Sequence, residues 1–309
     1  MASPDPGGSD EARPLDVHAL AHVQRRLQAA AQPPWLHGEV ARRMAERLPL
    51  IKLQPATVAD WDAFLGASQP LLRERYPRAR LLAVEQGAAR RDATAAALQQ
   101  PWWSPRRWGG AAAQAVQADD VAPGQVQMVW ANMGLHGAAV PLQRMRQWHR
   151  ALAVDGFLMF STLGPGTLNK LQALYRAQGW PLPLAPFVDM HDLGDMLIEA
   201  GFADPVMDQE TVTLTWPTPE ALLAELRQLG GNLALGRHPG LRTPRWRQQL
   251  MAALQRLAGP DGRLGLDFEI VYGHAFKPIP RARVTAETQV PLADLRAMVK
   301  SGRRSGESG

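Results

Sequence analysis

The hydrophobic pattern of the chain is organised around a short apolar run at residues 157–160. A Val-Asp-Gly turn at 154–156 precedes this run, and Ser161 and Thr162 end it before a Gly-Pro-Gly break at 164–166. Apolar character on both faces is typical of a parallel strand that helices cover on both sides. We therefore predict the last parallel strand of a doubly wound sheet, with a ligand site at its carboxyl end.

Shorter apolar runs alternate with amphipathic stretches over residues 56–178, at the spacing of β-α units. The pattern predicts further strands at 58–61, 80–84 and 126–130, and two later, antiparallel strands at 205–216 and 266–276. It predicts helices at 16–31, 38–48, 68–76, 90–98, 141–151, 167–178 and 191–200, and a helical, arginine-rich segment at 218–258. The pattern indicates an α/β fold with helices on both faces of the sheet.

The two ends of the chain differ in composition from its centre. Residues 1–14 are rich in Pro, Gly and Ser, so we expect a disordered N-terminus. A single folded domain is expected at 15–277. Residues 278–309 are expected to form a flexible basic tail, with at most one short helix near 292–300.

Composition narrows the possible functions. The chain has 309 residues, no cysteine and a formal charge of +5, so thiolate catalysis and cysteine metal sites are excluded and acidic partners are mildly favoured. No spacing of His, Asp and Glu suggests a metal site. Neither a signal peptide nor an apolar run of membrane-spanning length is visible, so we expect a soluble, cytoplasmic protein with no membrane partner.

Three blocks of sequence resemble one family. They are FLMFSTLGPGTL at 157–168, DMHDLGDMLIEAGFADPVMD at 189–208 and FEIVYGHA at 268–275, and they are similar to the methyltransferase of biotin synthesis that esterifies malonyl-acyl-carrier protein. The resemblance runs from about residue 20 to 276. It implies a seven-stranded, Rossmann-like methyltransferase domain with a helical insertion at about 218–262. It also implies S-adenosylmethionine as methyl donor and an acyl-carrier protein or acyl thioester as substrate.

The glycine motif of that family is altered here. The family pattern V-L-D-x-G-x-G-x-G corresponds to VADWDAFLG at 58–66, where Asp60 and Gly66 match but Asp62 and Phe64 replace the first two glycines. Aspartate can adopt the left-handed turn conformation, whereas Phe64 places a ring where the methionine part of the donor would pass. Donor binding is therefore in doubt, and a rebuilt donor site and a loop that packs into the core both remain open.

Three other residues are candidates for cofactor binding, Glu85 by its position and the other two by the same resemblance. Glu85 ends the second strand, where an acid can accept both ribose hydroxyls of an adenosine ligand, although a solvated carboxylate is the alternative. Asp119 matches the family acid near the adenine, or belongs to an ordinary acidic turn with Asp120. Asn132 lies in the turn after the strand at 126–130 and would face the donor.

On the substrate side, a carboxylate is already the nucleophile at neutral pH, so its methylation needs positioning rather than a general base. A cation or hydroxyl must hold its second oxygen. The tyrosine that the family usually supplies is missing from residues 29–35. His136, at a strand end, and Arg237, Arg242 and Arg245, in the basic segment 236–247, are the remaining candidates. That segment also suits an acidic carrier protein, or is a solvated basic surface.

Two hypotheses of function remain, one for an enzyme and one for a binding module. One is the family's methyl transfer, and the other is a catalytically retired fold that binds a carrier protein or another partner. The second arises because four departures from the family lie on the expected active face: Asp62, Phe64, the missing tyrosine, and Gly137 where the family usually has an aromatic residue. The loop PWWSPRRWGG at 101–110 interleaves tryptophan with arginine, as in proteins that stack nucleic-acid bases. Without any known nucleic-acid-binding motif, packing is the better interpretation, and nucleic acid is not an expected partner.

Overall fold

The computed structural model describes residues 13–99 and 113–280. The described residues up to Pro278 belong to one compact unit, and 279–309 form a second unit of which only Ile279 and Pro280 are described. Most of the expected disordered N-terminus, the tryptophan loop at 101–110 and nearly all of the basic tail, with its short helix, lie outside the described residues.

A seven-stranded sheet forms the centre of the described part of the chain, in the order β3-β2-β1-β4-β5-β7-β6. Its first five strands are parallel, and β7 runs antiparallel between β5 and β6. This order confirms the predicted Rossmann-like fold. The strands are β1 (Thr57–Trp61), β2 (Arg80–Glu85), β3 (Ala113–Gln117), β4 (Val126–Ala131), β5 (Leu152–Leu163), β6 (Ala203–Trp216) and β7 (Leu264–Phe276).

Helices cover both faces of this sheet. Two of them, α9 and α10, lie between β6 and β7 in the chain, where a helical insertion was expected. The helices within the described residues are α1 (Val17–Gln28), α2 (Trp35–Ala45), α3 (Ala63–Gly66), α4 (Gln69–Arg75), α5 (Ala88–Leu98), α6 (Pro141–Ala151), α7 (Asn169–Ala177), α8 (Met190–Glu199), α9 (Pro219–Leu229) and α10 (Pro244–Gln255).

Strand β5 explains the apolar run from which the fold was predicted. Phe157 and Met159 pack into the core on one face of the sheet, whereas Leu158 and Phe160 pack into the core on the other. All four side chains are buried. Because neither face of this strand meets water, its sequence is continuously apolar and does not alternate between apolar and polar residues. The strand pairs in parallel with β4 and antiparallel with β7, so it is the last parallel strand, as predicted.

The sequence analysis missed strand β3. This strand pairs only with β2, at the edge of the sheet, and its residues AQAVQ are half-buried or exposed. An edge strand needs no continuous apolar run, and small residues alternating with glutamine give little β signal. Backbone pairing rather than side-chain burial therefore defines this strand.

A close approach between strands fixes one glycine of the FEIVYGHA block. Gly273 lies opposite Phe160 of β5 and Met207 of β6. A Cβ atom there would lie 2.3 Å from Phe160 Cε1 and 2.8 Å from Met207 Sδ. Only glycine lets the large side chains on both neighbouring strands share this position.

None of the helices in the described part of the chain is both long and apolar enough to cross a membrane. Across the same residues, no group of three or more His, Cys, Asp or Glu side chains could hold a metal ion.

Candidate functional site

A cavity of about 480 Å³ lies at the carboxyl ends of the parallel strands. Residues that follow β1, β2, β4 and β5 form its floor, and leucines of α1 and α9 cover it together with the loop at 230–233. Its volume lies within the roughly 300–1,000 Å³ typical of small-molecule sites. The cavity therefore occupies the edge of the sheet where open α/β folds bind their ligands.

The altered glycine motif forms a tight turn at the edge of this cavity. Asp62 has φ 56° and ψ 46°, the left-handed conformation that aspartate was expected to tolerate. Its Oδ2 lies 3.2 Å from Arg144 Nη1. The chain passes so close that a Cβ on Gly134 would lie 2.6 Å from the same oxygen. Asp62 thus preserves the turn while its side chain fills space beside Gly134.

Phe64 lines the cavity without closing it. The residue lies in α3, and its ring packs beneath the Arg90 guanidinium, whose carbon is 3.8 Å from the ring centroid. Arg90 also donates to Ala30 O at 3.1 Å. The ring is therefore held against the wall, and open volume remains beside it.

Glu85 lines the cavity with a carboxyl group of which only one oxygen is engaged by the described residues. The side chain is only 3% exposed and lines the cavity. Its Oε1 accepts hydrogen bonds from Phe64 N at 3.0 Å and Thr94 Oγ1 at 2.8 Å. Burial raises the pKa of this carboxyl above its ordinary value. Because Oε2 accepts no hydrogen bond from the described residues, it is the oxygen that remains for ligand hydroxyls.

Asp60 and Asn132 do not reach the cavity, although both were candidates. Asp60 is fully buried, and neither of its carboxyl oxygens has a hydrogen-bond partner. Burial raises its pKa well above the usual range. Asn132 is buried as well: its Nδ2 donates to His37 O and Gly66 O, both at 2.7 Å, and its Oδ1 accepts from Ser161 Oγ. Asn132 therefore ties the turn after β4 to α2 and α3.

Gly66 and Asp119 also lie away from the lining residues. The Gly66 carbonyl accepts hydrogen bonds from Asn132 and from Ser68 Oγ, which makes it part of the same buried network. Asp119 is exposed in a short turn after β3, where its neighbour Asp120 accepts a hydrogen bond from Gln117 N. Within the described residues, this geometry is that of an ordinary acidic turn.

Two histidines face each other in the cavity wall. His136 follows β4, and His37, which the sequence analysis did not select, projects from α2; their ring centroids are 6.3 Å apart. His37 Nδ1 lies 2.8 Å from Leu65 O, which places its proton on Nδ1 and leaves Nε2 as an acceptor. Burial lowers the pKa of His37 to about 4 and that of His136 to about 3. Both rings are therefore neutral near pH 7.

The three arginines expected to hold the substrate are not among the described lining residues. Arg237 Nε pairs with Asp16 Oδ2 at 2.7 Å, at the start of α1. Arg242 stacks on Trp246, 4.3 Å from the ring centroid, and Arg245 is exposed. Arg237 and Arg242 lie in the segment that joins α9 to α10, and Arg245 lies in the first turn of α10.

Other arginines give the cavity its charge. They come from the N-terminal segment and from helices that are distant in sequence, so no local pattern marked them. Five arginines line the cavity against only two carboxylates: Arg13, Arg26, Arg90, Arg144 and Arg227, with Asp62 and Glu85. One of the carboxylates already pairs with Arg144. The cavity is therefore suited to an anionic ligand.

Comparison with known proteins gives relatives over most of the chain. It is 40% identical over 257 residues to the malonyl-acyl-carrier protein O-methyltransferase of Laribacter hongkongensis, covering 80% of this chain and 84% of that protein. It is 37% identical over 251 residues to the enzyme of the same name from Gallionella capsiferriformans, covering 80% and 85%. No protein-family model matches the chain.

The fold has relatives among solved structures. A Bacillus halodurans protein assigned as a methyltransferase superposes with a TM-score of 0.51 at 15% identity, covering 77% of this chain and all of that one. The class of fold is therefore that of the class I methyltransferases.

Proposed function

Because the chain belongs to the malonyl-acyl-carrier protein O-methyltransferase family, we propose that it methylates the free carboxylate of malonyl-acyl-carrier protein, with S-adenosylmethionine as the donor, in biotin synthesis. One observation carries the proposal beyond the family likeness. A single cavity holds both Glu85, an acid at the end of β2 with one oxygen free of hydrogen bonds from the described residues, and more arginines than carboxylates. Nothing in the described residues favours the alternative of a catalytically retired fold.

The donor end of the cavity is the part beside Glu85. Glu85 Oε2 would accept hydrogen bonds from the ribose hydroxyls, because its partner oxygen is already engaged. The Asp62 turn and Phe64 border the same end, and both leave volume for a ligand. S-adenosylmethionine supplies an electrophilic methyl group carried on a positively charged sulfur. The residues present are thus compatible with it, despite the altered glycine motif.

The residues of the chain would act by position and by exclusion of water. A malonyl carboxylate is ionised at neutral pH, so no side chain has to remove a proton from it. Leucines of α1 and α9, including Leu20 and Leu226, cover the cavity. A partly desolvated carboxylate is a stronger nucleophile than a hydrated one, provided that a fixed cation keeps it oriented. The neutral histidines form a polar wall that adds no charge of its own.

The partner we propose is an acyl-carrier protein, which is acidic. The segment between α9 and α10 leads from the cavity wall at 230–233 to α10, whose first two turns carry the exposed side chains of Arg245 and Arg247. Opposite charges on two surfaces accelerate encounter and make association sensitive to salt. We therefore expect the carrier protein to dock on this basic surface. A cytoplasmic location remains a prediction.

Two experiments test the proposal. Calorimetry of the full chain with S-adenosylhomocysteine should show binding, and a bacterial strain without its own enzyme of this family should grow without biotin when it expresses the chain. Glu85→Lys, which fills the donor end with a cation, should abolish both results. A folded, expressed chain that neither binds the donor product nor restores growth would refute the proposal.

A further inference from the structure

Arg13 is held at the cavity by backbone carbonyls rather than by a carboxylate. Its Nη1 donates to His136 O and its Nη2 to Pro186 O, both at 2.6 Å. Both acceptors are neutral carbonyls, and no carboxylate of the described residues pairs with this guanidinium. Its backbone is fixed as well, because Arg13 N donates to Ala139 O at 2.8 Å. The cation is therefore held in place without a counter-charge.

The arginines at the donor end already have other roles. Arg144 pairs with Asp62 at 3.2 Å. Arg90 stacks on Phe64, which itself donates to Glu85. Both lie beside the acid at the end of β2, so neither is placed to hold a second substrate.

The two remaining arginines belong to the helices that cover the cavity. Arg26 of α1 donates to the carbonyls of Arg227 and Gly230, and so joins the two covering helices. Arg227 of α9 is exposed. By contrast, Arg13 rests directly on His136, in the turn that follows β4, which belongs to the cavity floor.

A guanidinium has five N–H donors. The two carbonyls engage one donor on each terminal nitrogen of Arg13, which leaves three for a ligand. Burial without a counter-charge lowers the pKa of Arg13, and a ligand anion would remove that penalty. Carboxylates suit a guanidinium best among the anions of acyl thioesters, because the planar group donates to them with matched geometry.

We propose that Arg13 binds the free carboxylate of the malonyl group and so distinguishes malonyl from uncharged acyl groups. The inference rests on the proposed function, since it assigns the acceptor end of the same cavity. Arg13 would hold one carboxylate oxygen and leave the other free to react. The group that holds the second carboxylate oxygen would then be a guanidinium from a residue that precedes α1, in place of a hydroxyl.

The test compares two thioesters that differ in that carboxylate. Binding of malonyl-CoA and of acetyl-CoA to the full chain, saturated with S-adenosylhomocysteine, is measured by calorimetry. The wild type should prefer malonyl-CoA, and Arg13→Gln should lower malonyl-CoA affinity by about 10–150-fold, the range for a lost hydrogen bond to a charged group. Acetyl-CoA and S-adenosylhomocysteine affinities should not change.

Two further variants make the result specific. Arg13→Lys keeps the charge and should retain part of the malonyl preference. Arg25→Gln removes an exposed arginine of α1 that does not line the cavity, and it should change nothing. Full malonyl preference in Arg13→Gln, or equal loss of both thioesters and of S-adenosylhomocysteine, would overturn the assignment of Arg13. A wild type that shows no malonyl preference and no methyl transfer would instead contradict the proposed function itself.

Discussion

Replacing Glu85 by glutamine changes the donor end of the cavity by a single group. Phe64 N–H can only donate, and it is 3.0 Å from Oε1. The amide of the variant must therefore keep its oxygen at that position, where Thr94 Oγ1 also donates. The NH₂ group then replaces Oε2 on the cavity side. An NH₂ group cannot accept hydrogen bonds from ribose hydroxyls, so the ligand loses its acceptor while the internal contacts remain.

The size of the effect follows from the charge of the lost acceptor. Hydrogen bonds to charged groups contribute about 1.5–3 kcal/mol, so donor affinity should fall by roughly 10–150-fold. Burial raises the pKa of Glu85, so the wild type should also lose donor affinity as the pH falls through that raised pKa. The glutamine variant cannot ionise and should not show this component.

Calorimetry with S-adenosylhomocysteine at several pH values measures both effects. Glu74→Gln makes the same chemical change at an exposed position on α4, and it should leave affinity unaltered. Donor affinity in Glu85→Gln within about twofold of the wild type, with the pH dependence retained, would show that Glu85 does not bind the donor.

Three further outcomes are expected. Gly273→Ala places a Cβ 2.3 Å from the Phe160 ring, so urea denaturation should show a loss of about 1–3 kcal/mol in the free energy of unfolding. Adding Phe160→Leu to this variant should restore part of the loss, and unchanged stability in Gly273→Ala would contradict this packing. The pKa of His37 is about 4 in the folded chain, whereas unfolded chains protonate histidine near pH 6.5, so His37 by itself should lower the stability by about 1 kcal/mol for each unit that the pH falls from 6 to 4. The slope of stability against pH in His37→Gln should be smaller by that amount, and equal slopes in the two proteins would refute the pKa shift. Replacing exposed Arg245 and Arg247 with glutamate should weaken carrier-protein association several-fold at low salt without changing donor affinity, and salt-independent binding by the wild type would contradict docking at this surface.

Much of the fold was predictable because its determinants are local. The run at 157–160 is apolar on both faces since both faces of β5 are buried. Apolar and polar residues alternate along much of β6 and β7 because many side chains on one face of these strands are only partly buried or exposed. Strand β3 was not predicted, because it is held by backbone pairing to β2 rather than by apolar side chains. Local periodicity therefore reveals central strands better than edge strands.

The site was less predictable than the fold. The turn at Asp62 could be foreseen from the conformational preference of aspartate, and Glu85 from its place at the end of a strand. Whether Asp60 or Asn132 faces the cavity depends on neighbours that no local pattern specifies. Arg13 bonds to carbonyls 123 and 173 residues away. Its role depends entirely on tertiary structure, and nothing in its sequence surroundings indicates it.

Methyl transfer to a defined carrier protein tests the central claim most directly. The full chain is incubated with S-adenosylmethionine and either malonyl- or acetyl-acyl-carrier protein, and the carrier is analysed by intact-mass spectrometry. The account predicts that malonyl-acyl-carrier protein gains the mass of one methyl group, on the acyl chain, while acetyl-acyl-carrier protein gains none. An unchanged mass for the malonyl form, with a chain that is folded and binds S-adenosylhomocysteine, would contradict the account.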